Sequence, residues 1–226
     1  ISLIKRLKNS NSGIIAEHKR KSPSKQNINS YSSVIEIIKG YENAGVSGVS
    51  VLTDKKYFGG SLEDLNLSKA SSSIPLLRKE FIVDSYQIIE SKANGADVIL
   101  LIASILSKKE IKQFSLLAKE LGIEVLLEIH NKEELEKSIM QSIDIIGVNN
   151  RNLKTFKVNL DASRELSEYI PKEFLKISES GIDSVESIMN LKSYGFDGFL
   201  VGENFMKTKD PGKTALKFIK KLEDEA

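Results

Sequence analysis

The chain alternates short apolar runs with longer segments of helical spacing, and this alternation limits its possible folds more than any other feature. Eight runs rich in branched apolar residues follow one another along the sequence. They span residues 13–19, 48–53, 75–81, 97–103, 124–130, 145–150, 174–180 and 198–202. Runs of this length and composition predict β-strands that are covered on both faces.

Helices are predicted between the strands, and several have recognisable ends. The clearest ones span residues 34–43, 86–93, 108–120 and 185–193. A glycine follows each of them within two residues, where it supplies the left-handed conformation that ends a helix. Residues suited to the N-cap position stand before several helices. They are Asp84, Ser107, Asn131 and Asp183.

Strand–helix repetition of this kind predicts an α/β protein with a parallel sheet, and eight units are the number that closes a (β/α)8 barrel. The alternative is an open, doubly wound sheet. No G-x-G-x-x-G turn follows the first strand, which argues against the dinucleotide-binding version of that alternative. We therefore expect a single barrel domain over residues 1–226, with the Ser/Asn-rich stretch 22–33 forming one long loop after the first strand.

Composition excludes several classes of function. The formal net charge is +2, which provides no general attraction to nucleic acid. The chain has no cysteine and two histidines, so neither disulfides nor a structural zinc site is expected. No apolar stretch is long enough to span a bilayer, and no signal peptide opens the chain. We expect a cytoplasmic protein without a membrane partner.

Polar residues, most of them ionisable, gather at the carboxyl ends of the predicted strands. They are Glu17, Lys19, Lys79, Glu128, Asn149 with Arg151, and Glu179 with Ser180. A buried strand carries such groups only at a cost, and this end of a barrel is where active sites are built. A single charged residue there is most simply a solvated ion pair, but so many on one face predict a functional cluster.

Strand parity sharpens this prediction. Residues two apart point to the same side of a strand, so Glu17 and Lys19 share a side, Lys79 lies on the side of Leu77, and Glu128 on that of Leu126. If those sides face the barrel interior, opposite charges meet at its mouth. Such groups perturb one another's pKa values and can perform acid–base chemistry.

The two histidines point elsewhere, and an anion site is predicted near the last strands. His18 and His130 are interpreted as peripheral structural residues. Gly181 and Gly202 follow the seventh and eighth strands, where backbone N–H groups of such barrels commonly bind phosphate. Ser22, Lys19 and Arg151 are candidates for further contacts to that anion.

Several segments resemble one family, the indole-3-glycerol-phosphate synthases of tryptophan biosynthesis, across almost the whole barrel. They are IIAEHKRKSPSK (14–25), AGVSGVSVLTDKKYFGGSLEDL (44–65), PLLRKEFIVDSYQI (75–88), GADVILLIA (95–103), LLEIHNKEEL (126–135), IGVNNRNLKTF (146–156), ISESGI (177–182) and LVGENFM (200–206). The resemblance implies a (β/α)8, or TIM, barrel and a carboxy-lyase that needs no metal or organic cofactor. The substrate it implies is 1-(2-carboxyphenylamino)-1-deoxyribulose 5-phosphate, converted to indole-3-glycerol phosphate, CO2 and water.

The resemblance also implies residue roles. Lys79 is expected as the general acid, with a pKa lowered by burial beside another cation, and Glu128 as an acid or base in dehydration. Lys19 would hold the anthranilate carboxylate and work with Glu17. Asn149, Glu179 and Ser180 would orient the sugar hydroxyls and the catalytic groups. Phosphate would contact Ser22, Arg151, Gly181, Gly202 and Glu203, and an apolar wall around the aromatic ring would be formed by Pro23, Phe58, Phe81, Leu100 and Leu153.

The sequence departs from the family pattern in three places. Residues 1–12 precede the first strand, where the family has a longer segment with a helix over the substrate, so that extension is expected to be truncated or absent. The loop after Ser24 reads KQNIN, without the usual glycine, and Glu80 stands where Asp is common.

Two other functions are compatible with a phosphate-binding barrel. Phosphoribosylanthranilate isomerase chemistry uses a cysteine–aspartate pair, and this chain has no cysteine. A catalytically silent barrel would be expected to lack Lys19, Lys79 or Glu128, all of which are present. As partners, we expect the small phosphorylated anthranilate–sugar substrate and no nucleic acid. We also expect a monomer, and the sequence leaves association with other enzymes of the pathway open.

Overall fold

The computed structural model describes residues 1–153 and 155–225. Lys154, within the segment that resembles the family at 146–156, and Ala226, at the end of the predicted domain, lie outside the described residues. The strands are β1 (Ile14–His18), β2 (Gly48–Leu52), β3 (Leu76–Lys79), β4 (Val98–Ile102), β5 (Glu124–Ile129), β6 (Ile145–Asn149), β7 (Leu175–Glu179) and β8 (Gly198–Val201).

The eight strands form a closed barrel in chain order, with every neighbouring pair parallel and β8 paired back to β1. This confirms the predicted barrel and excludes the open sheet. Each strand lies within its predicted run, and the run extends beyond either end of the strand by at most two residues. The difference is physical, because residues that continue a strand's apolar pattern past its last ladder hydrogen bond already belong to the loop.

Helices occupy the segments between the strands. They are α1 (Leu3–Lys8), α2 (Val34–Asn43), α3 (Lys55–Phe58), α4 (Leu62–Ser71), α5 (Ser85–Ala93), α6 (Lys108–Glu120), α7 (Lys132–Ser138), α8 (Asp161–Ser167), α9 (Val185–Ser193), α10 (Glu203–Met206) and α11 (Pro211–Asp224). Gly45, Gly95, Gly122 and Gly195 all have the left-handed backbone predicted for them.

The predicted N-caps are confirmed at three helices and wrong at the fourth. Asp84, Ser107 and Asn131 each accept a hydrogen bond from the first turn of α5, α6 or α7. The N-cap of α9 is Ser184 and not Asp183, because the Ser184 hydroxyl accepts from the backbone N–H of Ser187. Asp183 instead lines the cavity described below.

Two apolar cores lie on the two sides of the barrel wall. The inner core contains alternate strand residues, among them Ile15, Leu77, Leu100, Leu126 and Ile177, together with residues of α1. The outer core lies between the strands and the surrounding helices. Leu77 and Leu126 therefore face the interior, which confirms the strand parity on which the predicted site depends.

Helix α1 closes the amino-terminal end of the barrel. The backbone N–H groups of Leu3 and Ile4 donate to Oε2 of Glu124, the first residue of β5, at 2.8 and 3.1 Å. Leu3 and Leu7 belong to the inner core, and a side chain at Gly48 would lie 2.7 Å from Leu3 Cδ1. In the described structure residues 1–12 thus cover the face opposite to the strand ends that carry the charges.

Candidate active site

A cavity of about 600 Å³ opens at the carboxyl ends of the strands. Every residue predicted for the site lines it. These residues are Glu17, Lys19, Ser22, Pro23, Phe58, Phe81, Lys79, Leu100, Glu128, Asn149, Arg151, Leu153, Glu179, Ser180, Gly181, Gly202 and Glu203. Strands far apart in the chain therefore deliver their polar ends to one space, as expected for a barrel of this type.

Lys79 stands at the centre of the charged cluster. Its Nζ forms an ion pair with Glu179 Oε2 and lies 3.4 Å from Glu128 Oε2. The side chains of both glutamates are almost fully buried, at 4% exposure for Glu128 and 2% for Glu179. Charges this deep interact strongly because little water screens them.

A second ion pair lies on β1. Lys19 Nζ is 2.7 Å from Glu17 Oε1, as the shared strand side predicted. The hydroxyl of Ser50, on β2, donates to the other oxygen of Glu17 at 3.3 Å. Burial raises the pKa of Glu17, but Lys19, Lys79 and the Ser50 hydroxyl outweigh it and lower that pKa below its ordinary value. Glu17 is therefore ionised near neutral pH.

The expected lowering of the Lys79 pKa is wrong. Burial does lower the pKa of Lys79, but the attraction of Glu179, Glu128 and Glu17 exceeds that effect and raises the pKa above its ordinary value. The prediction counted Lys19 as a neighbouring cation, whereas Glu17 neutralises it at 2.7 Å. Three carboxylates and not one cation dominate the surroundings of Lys79.

Glu179 is the carboxyl group of this cluster whose ionisation is opposed by its surroundings. Burial, together with the repulsion of Glu128 and Glu17, raises the pKa of Glu179 to about 7 even though Lys79 lowers it. A group with this pKa gains and loses a proton in the neutral range. The cluster thus contains one carboxyl group suited to acid–base chemistry at neutral pH.

The turn after β7 is held in an unusual conformation. Ser180 has a φ of 68° and Gly181 a φ of 77°, so two consecutive residues adopt the left-handed region. The buried amide of Asn150 supports this turn by donating to the carbonyl oxygens of Glu179 and Ser180 at 3.0 and 3.1 Å. Strain of this kind persists where surrounding contacts fix it, and it concentrates at functional sites.

Asn149 and Arg151 follow β6 at the rim of the cavity. The side-chain oxygen of Asn149 accepts a hydrogen bond from the backbone N–H of Arg151 at 3.0 Å. The Arg151 guanidinium donates to the carbonyl oxygen of Phe156 at 3.1 Å. Arg151 lines the same cavity as Ser180 and Gly181.

The loop after β1 crosses the rim near β8. Ser22 and Lys25 exchange backbone hydrogen bonds at 2.8 and 3.0 Å, which folds SPSK into a tight turn. Lys25 Nζ lies 3.2 Å from Glu203 Oε1, and the Asn29 amide donates to the carbonyl oxygen of Met206 at 3.1 Å. These contacts bring Ser22, Gly202 and Glu203 to one end of the cavity, where the anion was predicted.

Aromatic side chains form another wall of the cavity. The rings of Phe58 and Phe81 lie 6.3 Å apart, and Tyr57 meets Phe81 edge-on at 6.4 Å. Phe81 is 39% exposed and Leu153 is 47% exposed, although both line the cavity. Apolar surface at the mouth of a charged pocket is suited to a ligand with an aromatic part.

Glu80, which replaces the family's common aspartate, turns away from Lys79. Its Oε2 accepts from the Thr53 hydroxyl at 2.6 Å and lies 3.8 Å from the Arg78 guanidinium. The Lys79 ammonium is paired with Glu128 and Glu179 instead.

One of the two histidines, His130, departs from the sequence interpretation. His18 is buried on the outer side of β1, and neither ring nitrogen has a hydrogen-bond partner within the described residues. Burial, followed by Arg20, lowers the pKa of His18 to about 4, so its ring is neutral. His130 is not peripheral, because its Nε2 lies 3.5 Å from Glu128 Oε1.

Several residues at or around the cavity were not predicted. Ser50, Asn150 and His130 contact predicted residues, and Tyr57 and Lys207 line the cavity. Ser50 had a detectable signal, since it is a polar residue on the inward side of an apolar strand. Within residues 1–153 and 155–225, no group of three or more potential ligand side chains is arranged to hold a metal ion, and no helix is long and apolar enough to cross a membrane.

Comparisons with known proteins identify the family. The family model described as indole-3-glycerol phosphate synthase matches residues 1–219. Relatives named indole-3-glycerol phosphate synthase include one from Bacteroides thetaiotaomicron, 46% identical over 222 residues, which are 98% of this chain and 85% of that protein. Another, from Caldanaerobacter subterraneus subsp. tengcongensis, is 46% identical over 209 residues, covering 92% and 80%.

Solved structures agree on the fold. A KGPDC from Streptococcus mutans superposes with a TM-score of 0.74 at 12% identity, covering 95% of this chain and 99% of that one. The 3-hexulose-6-phosphate synthase from Salmonella typhimurium gives 0.72 at 13% identity, covering 95% and 100%. At these identities the likeness concerns the barrel alone.

Proposed function

The chain belongs to the indole-3-glycerol phosphate synthase family, and on that premise we propose how the residues of its cavity share the reaction. The family's activity is the carboxy-lyase step of tryptophan biosynthesis that forms indole-3-glycerol phosphate. The resemblance found in the sequence is thereby confirmed. The observation that carries the residue assignment is the meeting of Lys79, Glu128 and Glu179 in one buried cluster.

Lys79 is the proton donor for ring closure. An aromatic carbon of the substrate attacks the sugar carbonyl, and the Lys79 ammonium protonates the oxygen that becomes a hydroxyl group. The anthranilate carboxylate leaves as CO2 and its electron pair restores the aromatic ring. Before substrate binds, three carboxylates retain the proton on Lys79. A proton taken up by Glu179, whose pKa is about 7, removes one of those charges and makes Lys79 a stronger acid.

Glu128 assists the dehydration that follows. The new hydroxyl group leaves as water when an acid protonates it, and a base removes a proton from the ring to form the indole. Glu128 is buried beside Lys79 and is within reach of the same substrate atoms. General acid–base groups of this kind contribute about 10² to 10⁴ in rate.

Lys19 and Glu17 hold the anthranilate end. The Lys19 ammonium offers a charge-assisted hydrogen bond to the substrate carboxylate, and Glu17 keeps the lysine oriented through the 2.7 Å ion pair. The aromatic ring of the substrate is enclosed by apolar side chains, those of Pro23, Phe58, Phe81, Leu100 and Leu153. Asn149, Glu179 and Ser180 orient the sugar hydroxyls.

The phosphate lies at the opposite end of the cavity. We assign its binding to Ser22, Arg151 and the backbone near Gly181, Gly202 and Glu203, since these groups line the cavity and Lys25 ties the turn at Ser22 to Glu203. Short loops with backbone N–H groups and an arginine are typical phosphate ligands. No metal or organic cofactor takes part in this proposal, because the developing charges are met by proton transfers.

The alternative functions are less well supported. An isomerase that uses a cysteine–aspartate pair has no cysteine to employ here. A silent barrel gives no reason for a buried lysine among three carboxylates, which costs free energy of folding without benefit.

We also propose that residues 1–226 form one domain that works as a monomer in the cytoplasm, without nucleic-acid or membrane partners. The near balance of basic and acidic residues, at a net charge of +2, supports the absence of a general polyanion partner. Association with other enzymes of the pathway is compatible with this proposal.

The test is a turnover assay. The protein is incubated with 1-(2-carboxyphenylamino)-1-deoxyribulose 5-phosphate, and indole fluorescence and CO2 release are followed together. One CO2 for each indole product is the expected result. Product formation without CO2, or neither signal, would reject the reaction.

A further inference from the structure

His130 stands directly behind Glu128 and is tied to the start of α7. Its Nε2 lies 3.5 Å from Glu128 Oε1, and its Nδ1 lies 3.2 Å from Glu134 Oε2. The other oxygen of Glu128, Oε2, faces Lys79 at 3.4 Å. The two oxygens of Glu128 therefore have different neighbours, the imidazole on one side and the ammonium on the other.

The cap of α7 fixes the imidazole. Glu134 Oε2 accepts from both the backbone N–H of His130, at 2.8 Å, and its ring Nδ1. Glu134 Oε1 accepts from the Asn131 amide at 3.2 Å, and the Asn131 oxygen accepts from the Glu134 N–H at 2.9 Å. Glu134, which is bonded to the N-cap residue Asn131, thus also holds the ring, and this leaves His130 little freedom to turn.

This arrangement decides which ring nitrogen carries a fixed proton. Burial raises the pKa of Glu134, but the hydrogen bonds from His130 and its charge lower it below the ordinary value, so Glu134 is an ionised acceptor. Nδ1 must then be the donor to it. The remaining proton of the ring belongs to Nε2, which is buried without a hydrogen-bond partner in the described part of the chain and is aimed at Glu128.

If neither Nε2 nor Glu128 Oε1 carried a proton, two buried hydrogen-bond acceptors would face each other, which is unfavourable. Either the imidazolium faces the carboxylate, or neutral Nε2 accepts a hydrogen bond from the carboxylic acid. Both states contain one proton between the same two atoms. Exchange between them moves that proton from Nε2 to Oε1 and leaves the total charge unchanged.

We propose that Glu128 and His130 work as one unit that holds a single proton between Oε1 and Nε2, and that His130, fixed by Glu134, is the positioning residue for Glu128. This inference rests on the proposed acid–base role of Glu128. The unit gives Glu128 a proton to deliver to the leaving hydroxyl group, while the imidazolium retains it between turnovers.

The position of His130 suits this role. His130 does not line the main cavity, so it reaches the reacting atoms only through Glu128. It lines a shallower cavity on its other side, together with Lys132, Glu165, Glu168 and Tyr169. The side chain of His130 is 13% exposed where it lines that second cavity, although Nε2 itself is buried.

The charges around His130 favour the protonated ring. Burial lowers the pKa of His130, but Glu134, Glu128 and Glu179 outweigh it and raise the pKa above its ordinary value of 6.5. Glu165 and Glu168 add negative charge across the second cavity, and Lys132 is the cation there, with its Nζ 4.0 Å from the Tyr169 ring centre. The raised pKa favours the protonated ring, and the unit loses its proton as the pH rises through that pKa.

The direct test is nitrogen NMR of the histidine rings in the protein without substrate. The chain has two histidines, and His18, with a pKa of about 4, stays neutral over the relevant range. We expect His130 to titrate above 6.5 and to be an Nδ1–H tautomer when neutral. Glu128→Gln should lower its titration midpoint by about one pH unit, the effect of losing an adjacent opposite charge.

Two further variants separate this coupling from general damage. Glu134→Gln should lower the midpoint of His130 and mix its tautomers. Glu133→Gln, an exposed neighbour on the same helix, should change neither. A midpoint that Glu128→Gln leaves unmoved, or an Nε2–H tautomer in the wild-type protein, would overturn the proposal. These measurements need no turnover, so absence of synthase activity would count against the proposed function alone.

Kinetics supply the second readout. His130→Gln should lower kcat by about ten- to a hundredfold, less than loss of the acid–base group itself, with KM changed by less than about threefold. The alkaline limb of its kcat profile should move to lower pH, because the imidazole that retains the proton is then missing. An unchanged profile, or a change in KM alone, would contradict the one-proton unit.

Discussion

Lys79 Nζ lies 3.4 Å from Glu128 Oε2, although the two residues are 49 positions apart in the chain. The contact exists because β3 and β5 both end at the cavity, where Lys79 and Glu128 face the same space. Glu179 completes the cluster from β7. Closure of the barrel is thus the feature that turns separate strand ends into one acid–base centre.

Replacing Glu179 should change how stability depends on pH. The pKa of Glu179 is raised from 4.5 to about 7 in the folded protein, so folding favours its protonated form. The stability it contributes is present below pH 4.5 and is lost as pH rises to about 7. The free energy of unfolding of Glu179→Gln minus that of the wild type should therefore be about 2 kcal/mol larger at pH 8 than at pH 5.

Urea unfolding of both proteins at these pH values measures the difference. Glu173→Gln is the control, because Glu173 is an exposed residue just before β7. A stability difference for Glu179→Gln that is the same at both pH values would show that Glu179 does not titrate in the neutral range in the folded protein.

The fold and much of the site could be predicted because they depend on local sequence. Period-two patterns fix which strand residues face inward. Leu77 and Leu126 face inward, so Lys79 and Glu128, each two residues further along the same strand, face inward as well. Glycine positions fixed helix ends. Ser22 and Arg151 could be placed at the cavity because each follows a strand end by only a few residues.

The electrostatics could not be predicted, since they depend on distances between strands. The Lys79 pKa was expected to fall because the sequence placed carboxylates and a second lysine at the same end of the barrel without showing which of them lie against Lys79. His130 was misjudged for a different reason. The N-cap at Asn131 could be recognised from the sequence, and Glu134 is only four residues from His130. That Glu134 also bonds the imidazole ring can be seen only from the side-chain geometry.

The amino-terminal end of the barrel should affect stability and not catalysis. Leu7→Ala removes a side chain that is 3% exposed and packs in the inner core from α1. We expect a loss of about 2 to 5 kcal/mol in free energy of unfolding. At a temperature where the variant is folded, kcat and KM should stay within about twofold of the wild type, because the cavity opens at the other end.

Thermal unfolding and steady-state kinetics on the same preparation check both parts. Arg6→Ala, an exposed position on α1, should leave stability and kinetics unchanged. A specific loss of kcat in Leu7→Ala would mean that α1 influences the reacting groups through the barrel core.

Inorganic phosphate should compete with the substrate, and Arg151 should determine how strongly. Arg151→Ala removes charge-assisted hydrogen bonds worth about 1.5 to 3 kcal/mol, so the inhibition constant for phosphate should rise about tenfold or more. Arg6→Ala again serves as control, since it removes the same charge at the opposite end of the barrel. If phosphate inhibits neither the wild type nor the variant, the anion site lies elsewhere.

Lys79→Met tests the central claim most directly, because it removes the ammonium group and keeps a side chain of similar length. Indole fluorescence measured with saturating substrate should show kcat reduced by at least about a hundredfold, with KM within about tenfold of the wild type. Lys109→Met, an exposed lysine on α6, should retain full activity. Near-normal turnover by Lys79→Met would contradict the assignment of Lys79 as the proton donor.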